Sequence, residues 1–167
     1  MFEIIFLAVM TAAFPSADCG ERCPCIAPPG GSYLSPAAIA QARRDAYAIF
    51  RGHVVRIDTL AQDTSDLASD PTQVPRQFIR TTVIRYTFAV ERSWKGPQER
   101  QLVVTNYDVD TSCGRHYKNG VSYLIYADKD RQGTEPHNLS TYSCSRVRSG
   151  EAEEDFKVLG AGRDLKH

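Results

Sequence analysis

Cys23 and Cys25 flank Pro24 in the stretch ERCPCIAPPGG, and three kinds of chemistry use sulfurs at such short range. A redox pair needs C-x-x-C ahead of a βαβ unit; here the spacing is C-x-C and no such unit follows. A tetrahedral zinc site could draw on Cys23, Cys25, Cys113 and Cys144, but C-x₂₋₄-C knuckles are absent and an exported thiol cluster tends to oxidise. Disulfides are the reading that remains. In extended chain, residues i and i+2 point to the same side, so two sulfurs there reach two anchors along one edge of a barrel. Cys113 and Cys144 are the candidate anchors, and arithmetic alone leaves three connectivities among the four residues. Bridges closing loops of about ninety residues or more would each contribute roughly 4–5 kcal/mol by the chain-entropy model, an upper figure.

The fifth cysteine, Cys19, is left over. A lipid anchor on Cys19 needs a small residue just before it, and Asp18 breaks that pattern. A free or intermolecularly paired thiol near the chain start is the preferred reading.

An oxidising compartment is also what the first residues predict. IIFLAVM followed by TAAFPSA has the short apolar core and small residues of a secretory signal peptide, although Glu3 stands where Lys or Arg is usual. Cleavage is expected after Ala17, with Ala13 as the other option, giving a secreted or periplasmic protein. The apolar run falls well short of the ~20 residues of a transmembrane helix, so no transmembrane segment is expected. The expected organisation is a signal peptide over 1–17, a disulfide-tethered arm over 18–34, and one domain over 35–167.

The rest of the chain supplies the elements that must hold these sulfurs. At 167 residues, 42% hydrophobic and with a formal net charge of zero, it has the composition of one globular domain. The zero balance removes the electrostatic case for nucleic acid or an anionic membrane. SPAAIAQARRDAYAIF opens with Ser35 at an N-cap and Pro36 at the first helical place, predicting a short helix. A first strand is expected over residues 49–58, followed by a polar loop, LAQDTSDLASDPTQVP. Ile84, Tyr86, Phe88, Val90 and Trp94 share one parity, and Arg85, Thr87 and Glu91 the other, which predicts a strand with one face on a core. QLVVTNYD, VSYLIYADKD and NLSTYSCSRV read as further strands, with WKGPQER and the Asn119-Gly120 turn between them. Cys113 then precedes one strand and Cys144 lies within the next. GEAEEDFKVLGAGRDLKH reads as a closing helix with an acidic first turn. Five strands with a helix or two outside suggest a small antiparallel barrel.

Five pieces, in order, carry a resemblance to a known family: CPC, DAYAIFRGHV, FAVERSWKG, CGRHYKNGVSYLIYA and YSCSR. The chain resembles the netrin-like domains, and among them the bacterial relatives of the tissue inhibitors of metalloproteinases, over nearly its whole mature length. The resemblance implies a five-stranded antiparallel OB-type barrel with one N-terminal and one C-terminal flanking helix, and the pairings Cys23–Cys113 and Cys25–Cys144. It also implies a non-enzymatic, protein-binding role. In the inhibitors the first cysteine is the mature N-terminus; its α-amine and carbonyl chelate the zinc of a target protease. The equivalent partner-binding edge here is Cys23, Pro24, Cys25 and Ile26, with no metal or cofactor in the isolated protein. A free amine on Cys23 requires a cut after Arg22, as a trypsin-like protease would make. The alternative is a structural envelope or extracellular matrix interaction protein with no inhibitory activity.

Other residue types organise less well. His53, His116 and His137 are dispersed without ligand spacing, and Ser35, Ser93 and Ser122 lack a nucleophile-elbow context. No acid–base or nucleophile set assembles, so no enzyme is expected. Lys95 reads as solvated beside a packing anchor, Trp94. Asn138-Leu139-Ser140 fits the glycosylation triplet, relevant only in a eukaryotic secretory route. Basic residues around Arg85 suggest nucleic acid on an OB-type fold, but Tyr86 and Phe88 share the core parity and are not available as a stacking platform.

Overall fold

The computed structural model describes residues 32–62, 81–109, 115–131, 137–142 and 144–165. The expected signal peptide, most of the arm, and Cys19, Cys23, Cys25 and Cys113 lie outside the described residues, as does most of the expected polar loop.

The first helix forms as its capping signals dictate. α1 spans Pro36–Asp45, and the Ser35 hydroxyl accepts the Ala38 amide at 3.1 Å. Its C-terminal end is closed from another element. Lys95 Nζ donates to the carbonyl oxygens of Arg43 and Arg44, each at 2.9 Å, so this lysine is not simply solvated. The chain then turns extended into β1, Ala48–Gln62, longer than the expected first strand.

β1 pairs antiparallel with β2, Thr81–Lys95, which pairs antiparallel with β3, Gln101–Val109. β4, Ser122–Lys129, returns to β1, and the two-residue β5, Leu139–Ser140, fits between β3 and β4. The order β1-β2-β3-β5-β4-β1 is a ring of five strands. β6, Val147–Ser149, adds to β4, and β7, Arg163–Asp164, to β2, with α2, Glu153–Leu159, between them. Four junctions of the ring are antiparallel and β3–β5 is parallel. The expectation of a wholly antiparallel barrel is corrected here for a topological reason: alternating directions cannot close around an odd number of strands.

Two apolar clusters form. Phe50, Val54, Tyr86, Phe88, Val90, Leu102, Val104, Tyr117, Tyr123 and Ile125 belong to the larger one. Ile49, Leu124 and Tyr126, the alternate residues of β1 and β4, join Ala46, Ala152 and Leu159 in the second, against the helices. β4 is therefore buried on both faces over Tyr123–Ala127.

Tyr86, Phe88 and Val90 are buried as their alternation predicts, but Trp94 is not among them. Register shifts between β1 and β2 place Ser93, not Trp94, opposite the buried Phe50. A one-residue bulge turns the following side chains to the other face. Trp94 consequently stacks on Phe156 of α2, with centroids 5.5 Å apart, and its indole donates to the Gly160 carbonyl at 2.8 Å.

Candidate functional site

Of the residues expected to form the binding edge and its staples, only Cys144 is described. It lies in the turn between β5 and β6, not within a strand as its sequence context suggests. The side chain is exposed and the residue is disulfide-bonded. Its surroundings show how the fold presents this position.

The turn is held on both sides of Cys144. On the N-terminal side, the Thr141 hydroxyl donates to Asn106 Oδ1 at 2.6 Å and lies 2.8 Å from the Tyr117 hydroxyl, a chain of buried polar groups. The Tyr142 amide donates to Ser145 Oγ at 2.8 Å, and the Ser145 amide returns to the Tyr142 carbonyl at 3.0 Å. On the C-terminal side, Arg115 Nη2 donates to the Ser145 carbonyl at 2.9 Å. Asn106 Nδ2 also donates to the Arg115 carbonyl. β3, the segment entering β4 and the Cys144 turn therefore share one hydrogen-bonded junction.

Arg146 extends this junction to the start of the described chain. Its Nε and Nη2 donate to Asp155 Oδ1 and Oδ2 at 2.6 and 2.7 Å, a bidentate pair in which Asp155 is fully buried. The Tyr126 hydroxyl donates to the same carboxylate at 2.8 Å, and the Arg146 guanidinium stands 5.8 Å from the Tyr126 ring centroid. Burial pulls against the charge on Arg146, but the hydrogen bonds and charge of Asp155 outweigh it and hold its pKa above the usual value. Burial, reinforced by Asp155, raises the Tyr126 pKa. The remaining arm of Arg146, Nη1, donates to the Tyr33 carbonyl. Tyr33, Leu34 and Tyr142 are exposed at 53%, 45% and 52%, unusual for large apolar or aromatic side chains beside so rigid a junction.

The acidic first turn of α2 thus has a more specific use than its dipole: Asp155 is the buried partner of Arg146. Nothing in sequence spacing marks the Tyr126–Arg146–Asp155 set, because its members come from β4, the turn before β6 and α2.

The remaining candidates separate. His53 Nδ1 and Ser122 Oγ reach Glu91 Oε1 at 3.3 and 3.4 Å, and Arg51 Nε reaches Oε2 at 3.6 Å. The imidazole and hydroxyl meet on the carboxylate instead of on each other, which is not a nucleophile–base relay. His137 pairs with Glu99 at 3.3 Å. Ser35 is a helix cap, and buried Ser93 donates to the Pro97 carbonyl at 3.5 Å. Asn138 is only 8% exposed, a poor position for a glycan. Among the described residues no cluster of three or more His, Cys, Asp or Glu is placed to hold a metal, and no helix is long and apolar enough to cross a membrane.

No protein-family model and no curated protein matches the chain.

Proposed function

We propose that this chain is an exported, non-enzymatic, netrin-like module of OB type that binds another protein through a disulfide-tethered N-terminal edge, with inhibition of a zinc metalloprotease as the specific activity. The observation that carries the reading is the convergence at one junction of Tyr33, Arg115 and the Cys144 turn. Arg115 follows Cys113 by two residues and bonds to Ser145, the neighbour of Cys144. A C-x-C arm, whose same-side residues stand ~6.6 Å apart in extended chain, calls for neighbouring anchors, and the Arg115–Ser145 bond brings the chain next to each expected anchor together.

The start of the chain fits the same geometry. Tyr33 is tied to Arg146, two residues past Cys144. Cys25 lies eight residues upstream, within a reach of at most ~29 Å for extended chain. The resemblance pairs Cys25 with Cys144 and Cys23 with Cys113, and this reach permits those pairings. The ring order with its single parallel junction supports the OB assignment. On this reading Cys23, Pro24, Cys25 and Ile26 form a rigid wedge, and rigidity reduces the ordering cost of binding. A cut after Arg22 supplies the free amine that zinc chelation needs.

Two measurements on exported protein test this. Non-reducing peptide mapping should give Cys23–Cys113 and Cys25–Cys144; free thiols at Cys23 and Cys25 overturn the proposal. N-terminal analysis of the inhibitory fraction should find Cys23 first, and inhibition of a zinc endopeptidase should vanish when that amine is acetylated. Active protein with an intact peptide spanning Gly20–Pro24 removes the inhibitor mechanism.

A second reading, a structural envelope or matrix interaction protein, is favoured by Val55 and Ile57 of β1, each 42% exposed. It requires partner capture that survives blocking the Cys23 amine but fails when this row is replaced by serine.

A further inference from the structure

The face of β2 opposite its buried aromatics carries Arg85 and Thr87. Register sets Arg85 beside Asp58 of β1 and Thr105 of β3, and Thr87 beside Arg56 and Val103. With Leu60 and Asn138, both rows apart from the buried Thr105 line a recess of about 350 Å³. That volume lies in the range of small-molecule sites.

The charges in the recess are unevenly matched. Arg56 Nε donates to Asp58 Oδ2 at 2.7 Å, so the acidic wall residue among the described ones is taken. Arg85 is partly buried, and its guanidinium makes no hydrogen bond or ion pair among the described residues. A guanidinium that faces a recess with no such partner among the described residues is placed to meet an incoming anion. The smaller cavity, about 200 Å³, differs on this point: Arg51 meets Glu91 at 3.6 Å and Arg92 meets Asp164 at 3.9 Å, so its charges are paired.

We propose that the recess over Arg85 binds a small monocarboxylate such as a uronic acid. Among the described residues, two arginines and one aspartate leave one positive charge, which suits a single negative one. The planar guanidinium fork matches a carboxylate with two parallel hydrogen bonds. Leu60 and Val103 supply apolar wall for the body of the ligand, and the Thr87 hydroxyl a polar contact. This second site is independent of the N-terminal edge and of the function proposed for it.

The test is calorimetric titration of the folded, oxidised chain at low salt with sodium glucuronate, with acetate and inorganic phosphate as parallel arms. Saturable glucuronate binding is expected, with acetate weaker for lack of a body and phosphate no tighter than acetate. Arg85→Gln should weaken glucuronate at least tenfold, while Arg92→Gln, at an exposed paired arginine, should leave it unchanged. Thr87→Glu places a carboxylate beside Arg85 and should abolish binding while the chain stays folded by circular dichroism. Absence of saturation, equal losses in Arg85→Gln and Arg92→Gln, or phosphate binding tighter than glucuronate would each overturn the assignment.

Discussion

Asp155 is fully buried, and Arg146, its bidentate partner, keeps only 10% of its side chain exposed. A pair so enclosed gains stability only if both charges are present and their remaining hydrogen-bonding groups are used, as Tyr126 and Tyr33 do here. Asp155→Asn should therefore lower stability by ~3–5 kcal/mol, because it leaves a buried guanidinium without its counter-charge. The exposed pair Arg56–Asp58, with side chains 71% and 35% accessible, sets the contrast: Arg56→Gln should cost under ~1 kcal/mol. Urea unfolding of both variants measures the difference. The double change Asp155→Leu with Arg146→Met should recover much of the loss, since an apolar pair has no charge to desolvate. A small effect of Asp155→Asn alone would mean that water reaches the pair, and the junction beside Cys144 would then be less rigid than its geometry implies.

At the scale of elements, Gly52 is the position where β1 comes closest to its neighbour. It pairs with Val90 of β2 on one side and Tyr123 of β4 on the other, next to a register shift. A Cβ added there would stand 2.5 Å from the Ala89 carbonyl oxygen, a backbone atom that cannot swing aside. Gly52→Ala is expected to cost ~1–3 kcal/mol by overpacking, read as a lower thermal midpoint. In sequence this glycine looks like an interruption of the first strand; in the fold it lets that strand continue at a bulge. The same bulged region explains what periodicity could and could not convey. Alternation was sufficient for Tyr86, Phe88 and Val90, because the register shift facing them inserts its extra residue in β1, between Val54 and Arg56, and leaves β2 regular. It failed at Trp94, because an inserted residue leaves no mark in a parity count. Ser35 and Pro36 announced α1, and Asn119-Gly120 announced a turn in which Gly120 has φ 74°, since both signals are local. NLSTYSCSRV read as one strand, but the chain keeps only β5 near its start and enters β6 at its end, with a turn between; the Arg146–Asp155 pair was not legible, because it joins separate stretches of chain. The binding edge was legible only as a spacing of cysteines, and of these only Cys144 is described.

Across the whole molecule, closure of the ring gathers aromatic rings with polar tips in its larger apolar cluster. Tyr117 stands edge-on to Tyr86, Phe88 and Tyr123 at centroid distances of 4.9, 5.3 and 5.1 Å. Its hydroxyl, 2.8 Å from Thr141, joins this cluster to the Cys144 turn. Burial pushes the Tyr117 pKa up to about 12, against a smaller lowering by the Thr141 hydrogen bond and the Arg115 charge. The native state thus keeps a proton that the unfolded chain releases near pH 10. Below pH 10 both states are protonated and this stabilisation is complete; between pH 10 and about 12 the unfolded state binds fewer protons, so stability falls as pH rises. The slope from Tyr117 alone approaches ~1.4 kcal/mol per pH unit, and burial of Tyr126 adds to it in the same direction. Urea midpoints measured from pH 9 to 12, followed with tyrosinate absorbance, should show accelerating loss of stability above pH 10, with tyrosinate appearing together with unfolding. Tyr117→Phe removes one titrating group and should make that decline shallower while costing about 1 kcal/mol at neutral pH through the lost bond to Thr141. An unchanged slope in Tyr117→Phe would show that the ionised hydroxyl reaches water in the native state, and that the ring opens at the end where the Cys144 turn is attached.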